Sequence, residues 1–547
     1  MTSKGKILNP RISYPDRAQL ENNDFAPLDV VITDPLSTIL LLSSKDFKLL
    51  IKSLHQLDKF GQKDAQNMAQ LYHGQVMESI LKNDLFHHVE LFVKRFSLKI
   101  ASEMFFYEEL KYDNHILQEV FDTAKHYYKK SDDLFITEYS AVILLNLMRE
   151  GRFVVDLEQD SEFIAKLFKY ISDTADPDIL FNSYKVAIRL FQSLLSTGFI
   201  CETVKFPFER VIGDLSNEFP DIQKAALEIL AQVVQCKGEA YTSKLCCPVF
   251  FEELMKILEN DEVVYIHALS IDVLKEIMEV EMVANEFADG DYILRLIQHI
   301  KRDNNCRFIA CSILATLAKY QELLEFLNIS KVPEILLDLL LFDPQMVTKD
   351  ILIGLRRMLY DPEALSKVIN KNPVNALLKI LKSETLQLKI RDTAAELLGV
   401  LSARSKWMCE EITTEISAIV WPILSKPFAT YPTDYLLNLL IIMNNLAKYH
   451  VFKTSVLTDK FAQSLVFAIA NSYRSSVLFS NLLNTASNYI SEDKLRNEFS
   501  KNHVAEIILR GLKNSAVIVK NAATNFILLT GKFPNFSSEY IDNGVLK

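Results

Sequence analysis

Apolar and small residues recur along most of the chain in a helical pattern that repeats about every 43 residues. Counted from one anchor residue in each repeat, positions 0, +3, +4, +7 and +8 are mostly apolar, which is typical of a helix with one buried face. The anchor residues are Ser53, Ser97, Ala141, Ala187, Ala226, Ser270, Ala310, Ile351, Ala394, Leu439, Phe479 and Ala522. A period of this length predicts stacked helical repeats rather than a closed globular domain.

A second part of each repeat reads as a short helix, a polar break and a second apolar helix. Residues 324–340 and 365–381 are two examples, in which Pro333 and Pro373 stand at or near the start of the second helix. One repeat cannot bury its own apolar face, so neighbouring repeats have to stack. The sequence therefore predicts an all-α solenoid of about twelve repeats.

Residues 1–34 differ from the rest of the chain. They contain Pro10, Pro15 and Pro27, carry mixed charges and lack a sustained apolar period, so we expect an extended or disordered N-terminal arm. Helical patterning begins near Pro35, and we assign residues 35–547 to the repeat domain.

Composition restricts the function. Only 13 of 547 residues are glycine, whereas a doubly wound α/β enzyme needs glycines at its strand–helix turns. A net charge of −10 argues against nucleic acid as a partner. The chain has neither a secretory signal nor an apolar run of eighteen residues, so we expect a cytoplasmic protein without membrane insertion. Seven irregularly spaced cysteines predict reduced thiols.

The sequence offers little catalytic chemistry. It has no glycine-rich phosphate loop and no His-Glu-x-x-His motif, so we expect no catalytic residue, cofactor, metal or small-molecule substrate. His87-His88 lacks two further zinc ligands, and Cys306 and Cys311 are poorly spaced for one helical face. Residues 125–130 join lysines and aromatic residues, and they could contact phosphate or an acidic partner or form a solvated helix end.

The repeat pattern resembles the armadillo repeat family, with HEAT repeats as a near neighbour, over residues 36–547. The best-matching stretches are 222–234, 307–341, 390–402 and 436–447. The resemblance implies three helices per repeat, a right-handed α-solenoid and a concave groove, lined by the third helix, in which a protein partner binds. The glycine that usually separates the first two helices is mostly absent, although Gly544 has a matching context, so armadillo and HEAT both stay open for individual repeats.

Nuclear-import adaptors of this family carry a ladder of Trp and Asn residues on successive third helices. Among the residues six positions after the anchors only Asn445 is Asn, and no Trp stands two positions after an anchor. We therefore do not expect a receptor for nuclear localisation signals.

Polar residues two or six positions after an anchor are the predicted partner-binding residues, because the third helix would present them to the groove. Such side chains could recognise an extended or helical segment of a protein by hydrogen bonds and charge pairing. They are Arg189, Glu228, Asp272, Glu276, Ser312, Thr316, Arg357, Glu396, Asn445 and Asn481.

The leading hypothesis is a non-enzymatic armadillo-repeat scaffold or adaptor that binds protein partners in its concave groove. One alternative is an armadillo protein associated with the cytoskeleton, a cilium or flagellum, or the centrosome. Another is a regulatory HEAT-like subunit of an enzyme complex, such as a proton pump or a phosphatase.

Overall fold

The computed structural model describes residues 35–194, 206–235, 244–302, 306–427, 430–472 and 474–545. Within these ranges the regular structure is α-helix and short 3-10 helix, without a strand. The predicted N-terminal arm, residues 1–34, lies outside the described residues, as do Cys201 and Cys236. The all-α prediction is confirmed.

The chain divides into two compact units, with the boundary between residues 299 and 300. The α-helices up to that boundary are α1 (Phe47–Gly61), α2 (Ala65–His73), α3 (Val76–Lys82), α4 (Leu91–Met104), α5 (Asn114–Lys130), α6 (Leu134–Leu147), α7 (Gly151–Gln159), α8 (Ser161–Asp173), α9 (Pro177–Leu194), α10 (Phe208–Gly213), α11 (Pro220–Gln235), α12 (Pro248–Glu259), α13 (His267–Ile277), α14 (Glu281–Asp289) and α15 (Tyr292–Arg302), the last of which crosses it. A 3-10 helix, Pro35–Ser43, packs against α1.

The second unit also consists of short helices, which are numbered onward along the chain. They are α16 (Arg307–Leu317), α17 (Gln321–Ile329), α18 (Val332–Phe342), α19 (Lys349–Met358), α20 (Pro362–Lys371), α21 (Val374–Lys382), α22 (Leu388–Arg404), α23 (Lys406–Thr413), α24 (Ile416–Leu424), α25 (Thr433–Leu446), α26 (His450–Val456), α27 (Asp459–Asn471), α28 (Ser476–Tyr489), α29 (Asp493–Lys501), α30 (Val504–Leu512), α31 (Val517–Thr530) and α32 (Pro534–Asp542). From α17 onward each repeat has a first, a second and a third helix, as the sequence predicts.

The third helices, which we call the anchor helices, form a row in each unit. They are α1, α4, α6, α9, α11 and α13 in the first unit and α16, α19, α22, α25, α28 and α31 in the second. Each anchor helix packs against the next one in its unit, and all twelve anchor residues are buried. The apolar period of the sequence therefore identifies the residues on which the repeats stack.

Small residues let neighbouring anchor helices approach closely. A Cβ atom on Gly354 of α19 would lie 2.6 Å from the Cα atom of Ala315 on α16. Only glycine fits at this point, because any side chain would push the two backbones apart.

In several repeats the turn between the first and second helix keeps a left-handed residue although glycine is rare there. Gln75, Lys331, Asn372 and His503 precede the second helix with φ of 60°, 62°, 50° and 50°, and Gly544 follows α32 with φ 71°. In these four repeats a residue other than glycine adopts the left-handed turn conformation, whereas Asp160 before α8 and Glu415 before α24 have negative φ.

No described helix is both long and apolar enough to cross a membrane.

Candidate partner-binding surface on the anchor helices

The side of each anchor helix opposite its anchor residue carries positions −2, +2, +5 and +9, which we call the anchor stripe. These positions share one face because a helix turns by about 100° per residue. Most stripe residues of α9, α11, α13, α19, α22, α25, α28 and α31 are exposed or half-buried. At least half of those of α1, α4, α6 and α16 are buried in the described structure.

Position +6 lies beside the stripe rather than on it. At about 100° per residue it stands about 70° from the middle of the stripe, toward a neighbouring anchor helix. Of the four predicted residues at +6, Thr316 and Asn445 are buried, Arg357 is half-buried and Glu276 is exposed.

Three of the ten predicted residues are therefore not available to a partner in this structure. Ser312 Oγ lies 3.1 Å from Thr348 Oγ1, and the Thr316 hydroxyl donates to the Ser312 carbonyl at 2.8 Å. Next to Thr316 in the chain, Ala315 lies directly against Gly354 of α19. Asn445 Nδ2 donates to the Gly399 carbonyl at 3.0 Å, so this amide joins α25 to α22.

Two further predicted residues bridge consecutive anchor helices. Glu228 accepts a hydrogen bond from Lys185 Nζ at 2.6 Å, and Glu396 pairs with Arg356. Both carboxylates stand at position +2 and reach a stripe residue of the preceding anchor helix. These ion pairs stabilise the contact between neighbouring repeats, so the two carboxylates are only partly available to a partner.

The other predicted residues reach solvent. Arg189 on α9 and Asp272 on α13 are exposed, and Asn481 on α28 is half-buried. Partial burial raises the pKa of the Asp272 carboxyl, the Glu276 carboxylate adds to the rise and the Lys275 ammonium opposes it. Asp272 and Glu276 therefore form a small acidic site on α13.

The second unit carries a stripe of amide and aliphatic side chains, of which the sequence predicted only Asn481. On α28 its members are Val477, Asn481, Asn484 and Asn488, and on α25 they include Leu437, Ile441 and Asn444. Asn488 Nδ2 donates to Asn444 Oδ1 at 3.1 Å, which connects the two helices. The signal for this stripe in the sequence is the spacing of Asn481, Asn484 and Asn488, which places all three on one helical face.

This amide–aliphatic stripe has the chemistry to hold a peptide backbone. An asparagine amide has two N–H donors and an acceptor oxygen, which complement the carbonyl and N–H groups of an extended chain. Asn481 donates one N–H to the Val477 carbonyl and Asn488 donates one to Asn444, so each has one further N–H for a partner. Asn484 is exposed, and Ile441 and Val477 expose 48% and 46% of their surface. Aliphatic groups beside the amides would contact the partner's side chains.

The basic segment at residues 125–130 is engaged within the chain. Lys125 Nζ lies 3.0 Å from Asp156 and 3.1 Å from Asp160, and Lys129 Nζ lies 3.0 Å from Asp160. Lys130 pairs with Glu162. The side chains of Lys125 and Lys129 are largely buried, so the segment is an ion-pair network between α5 and the α7–α8 region rather than a solvated helix end.

The surroundings of the cysteines and of His87 are typical of structural rather than reactive residues. Burial raises the pKa of the Cys311 thiol to about 12 and that of Cys409 to about 11, which makes both poor nucleophiles. His87 Nδ1 lies 2.7 Å from Asp84 Oδ1. Within the described part of the chain no group of three or more His, Cys, Asp or Glu side chains is arranged to hold a metal ion.

Comparison with known proteins gives the fold. No protein-family model and no curated protein matches the chain. An engineered protein of known structure is similar over 76% of this chain and 99% of its own, with a TM-score of 0.58 and 15% identity. A structure from work on a phosphorylation switch that controls the interaction between cadherin and beta-catenin is similar over 92% of this chain and 99% of its own, with a TM-score of 0.65 and 13% identity.

The fold is that of an armadillo-type α-solenoid. At such low identity the similarity concerns the fold alone.

Proposed function

We propose that this chain is a non-enzymatic armadillo-type scaffold or adaptor, and that the anchor stripe of its second unit binds an extended segment of a protein partner. The observation that carries the proposal is the amide–aliphatic stripe on α25 and α28. The chemistry required is recognition alone, without a catalytic step.

The argument rests on matching donors and acceptors. An extended segment presents one backbone N–H and one C=O per residue, and each needs a partner when water is displaced. Asn481, Asn484 and Asn488 follow one another at intervals of three and four residues, so their amides share one face of α28. A row of amides can satisfy a backbone of varied sequence, whereas Ile441 and Val477 can select for apolar side chains.

The fold comparison supports a role in protein binding. The similar structure named above concerns an interaction between two proteins, cadherin and beta-catenin. Repeat folds of this kind offer long surfaces that suit extended partners.

The test compares two pairs of asparagine substitutions in the full-length protein. Asn484→Ala with Asn488→Ala removes amides from the stripe, whereas Asn471→Ala with Asn502→Ala removes exposed amides outside the anchor helices. Partners captured from the native lysate are quantified by mass spectrometry, and their binding segments are then measured as peptides by calorimetry. We expect the stripe pair to weaken peptide binding by about tenfold or more and the control pair to leave it unchanged. Equal binding of every captured partner to both pairs would disprove the proposal.

The identity of the captured partners separates the narrower hypotheses. Axonemal or centrosomal partners would favour the cilium, flagellum or centrosome role, and pump or phosphatase subunits would favour the regulatory role.

A further inference from the structure

A cleft in the second unit lies away from the anchor stripe. It is lined by the first and second helices α17 and α18 and by the next first helix, α20, and it encloses about 770 Å³. None of its lining residues comes from an anchor helix. A ligand in this cleft would therefore bind independently of a segment on the anchor stripe.

The cleft is lined by more acidic than basic side chains. Glu325, Glu334, Asp361 and Glu363 provide four carboxylates, and Lys331 and Lys367 provide two ammonium groups. Lys367 Nζ lies 2.9 Å from Glu363 Oε1 and 3.2 Å from Glu334 Oε1, and Asp361 accepts the backbone N–H of Ala364 at 2.8 Å. These contacts leave acceptor capacity on the carboxylates.

Two side-chain oxygens of the lining have no hydrogen-bond donor in the described structure. They are Oδ1 of Asn328 and Oε2 of Glu334, and both atoms are buried. A buried acceptor without a donor is unfavourable by about 1–3 kcal/mol, and a donor in the cleft would relieve that cost once the two side chains turn to expose these oxygens. The negative lining selects a cationic donor over a neutral one.

The lining of the cleft also contains apolar residues. They are Leu324, Ile329, Pro333 and Ala364, and Ile329 exposes 71% of its surface. An arginine side chain has both of the properties required, because its planar guanidinium carries five N–H donors and its methylene stem packs on apolar surface.

We propose that this cleft binds an arginine side chain from an apolar-flanked segment of a protein partner. The guanidinium donates to Glu334 and Asn328, and the flanking apolar residues contact Ile329. A divalent metal is a poor alternative occupant, since no described group of carboxylates has the arrangement of a metal site.

The test uses a fluorescein-labelled peptide, Gly-Leu-Arg-Leu-Gly, titrated with the full-length protein and followed by anisotropy. The same peptide with citrulline in place of arginine keeps the shape of the side chain and removes its charge. We expect saturable binding of the arginine peptide and binding of the citrulline peptide that is weaker by about tenfold or more. Equal affinity for both peptides, or no binding of the arginine peptide up to millimolar protein, would disprove the proposal.

The protein itself offers a matched pair of substitutions. Glu334 is the third residue of α18 and Glu506 is the third residue of α30, and both follow a left-handed residue. Glu334→Gln should weaken the arginine peptide by about tenfold, and Glu506→Gln should leave its affinity unchanged. An equal loss in both variants contradicts the proposal.

A second substitution keeps the test decisive if Glu334→Gln unfolds the chain. Glu325→Gln changes an exposed carboxylate of the same cleft, and we expect it to weaken the peptide about threefold. Unchanged affinity in a folded Glu325→Gln protein, together with unfolding of Glu334→Gln, would count against the site. Loss of peptide binding in these variants tests the cleft, whereas loss of partner binding in the Asn484 and Asn488 variants tests the anchor stripe, so either proposal can fail without the other.

Discussion

Lys99 Nζ lies 2.7 Å from Asp58 Oδ2, and the two side chains are only 7% and 3% exposed. The pair joins α4 to α1, two consecutive anchor helices, at the same stripe positions that Glu396 and Arg356 use between α22 and α19. Ion pairs across neighbouring anchor helices thus recur along the chain. In the first repeats the pair is buried, so it stabilises the contact between helices and offers nothing to a partner.

Removing one partner of this buried pair should destabilise the first unit strongly. Lys99→Met leaves the Asp58 carboxylate buried with a hydrogen bond from the Gln62 amide but without its ammonium partner, and we expect a loss of about 3–5 kcal/mol in the free energy of unfolding. The double variant Lys99→Met with Asp58→Leu should lose much less, because no unpaired charge remains. Urea denaturation of the two single variants and the double variant measures the coupling. Additive losses would show that the pair contributes no interaction energy.

Substitution of Gly354 should test the close approach of α16 and α19. In Gly354→Ala the added methyl group would lie 2.6 Å from Ala315 Cα and 2.9 Å from its carbonyl oxygen, and backbone atoms cannot move aside cheaply. We expect a destabilisation of about 1–3 kcal/mol.

Gly213→Ala is the matched control, because Gly213 is helical and a Cβ atom there meets nothing within 4 Å. It should be neutral or stabilising by about 0.5–1 kcal/mol. Similar thermal midpoints for the two alanine variants would contradict the packing argument.

The sequence was sufficient to predict the repeats but not the rotation of each anchor helix. The twelve anchor residues, from Ser53 to Ala522, could be aligned because a buried position recurs in every repeat. The burial of Ser312 could not be predicted, since it depends on how closely α16 and α19 approach and on Thr348, which lies 36 residues away. At position +6, the burial of Thr316 and Asn445 and the exposure of Glu276 could not be told apart from the sequence for the same reason.

The role of the basic segment was also hidden from the sequence. Lys125 and Lys129 meet Asp160 only because α5 packs beside α8, and local sequence does not fix that register. Asn481 of α28 was predicted from the sequence, whereas Asn484 and Asn488 could be placed on the same exposed face only once the stripe was known. By contrast, four turns between a first and a second helix are left-handed at a residue other than glycine.

Replacement of His503 should show that the left-handed turn carries strain. His503 is exposed and has φ 50°, a conformation that costs about 1 kcal/mol for a residue with a side chain. We expect His503→Gly to stabilise the protein by about 0.5–1 kcal/mol relative to His503→Ala.

The control is Asn372→Gly at the equivalent turn, where asparagine already tolerates φ 50°, and it should change stability by less than about 0.5 kcal/mol. Chemical denaturation of the three variants checks both expectations. A glycine that destabilises position 503 would mean that the turn is not strained.

Stability should depend on the protonation of Asp160 at low pH. Burial alone would raise the pKa of this carboxyl, but hydrogen bonds from the backbone N–H of Phe163 and from Lys129 and Lys125 outweigh it and lower the pKa to about 2. Because the pKa is lower in the folded state, the stabilisation is complete above the unfolded pKa of about 3.9 and is lost as the pH falls toward 2.

The variant Asp160→Asn keeps an N-cap acceptor and removes the charge. It should cost about 1–2 kcal/mol at pH 7, and its difference from the wild type should shrink between pH 5 and pH 3. Urea midpoints at pH 7, 5, 4 and 3 measure that difference. A difference that stays constant across this range would show that the ion pairs of Asp160 contribute nothing to stability.

Charge reversal on the anchor helices should separate partner binding from fold stability. Glu276 on α13 is exposed and Arg357 on α19 is half-buried, and neither has an ion pair among the described residues. Glu276→Lys and Arg357→Glu should therefore leave the thermal midpoint within about 1 °C, since unpaired surface charges contribute little to stability. Glu410→Lys on the first helix α23 changes an exposed charge off the anchor helices and serves as the control.

If a captured partner contacts Glu276 or Arg357, the matching charge reversal should weaken its binding by about three- to tenfold, with a loss that shrinks as the salt concentration rises. Binding that is unchanged by both reversals at low salt would remove these two residues from the partner-binding surface, while the amide–aliphatic stripe would still be tested by its own asparagine variants.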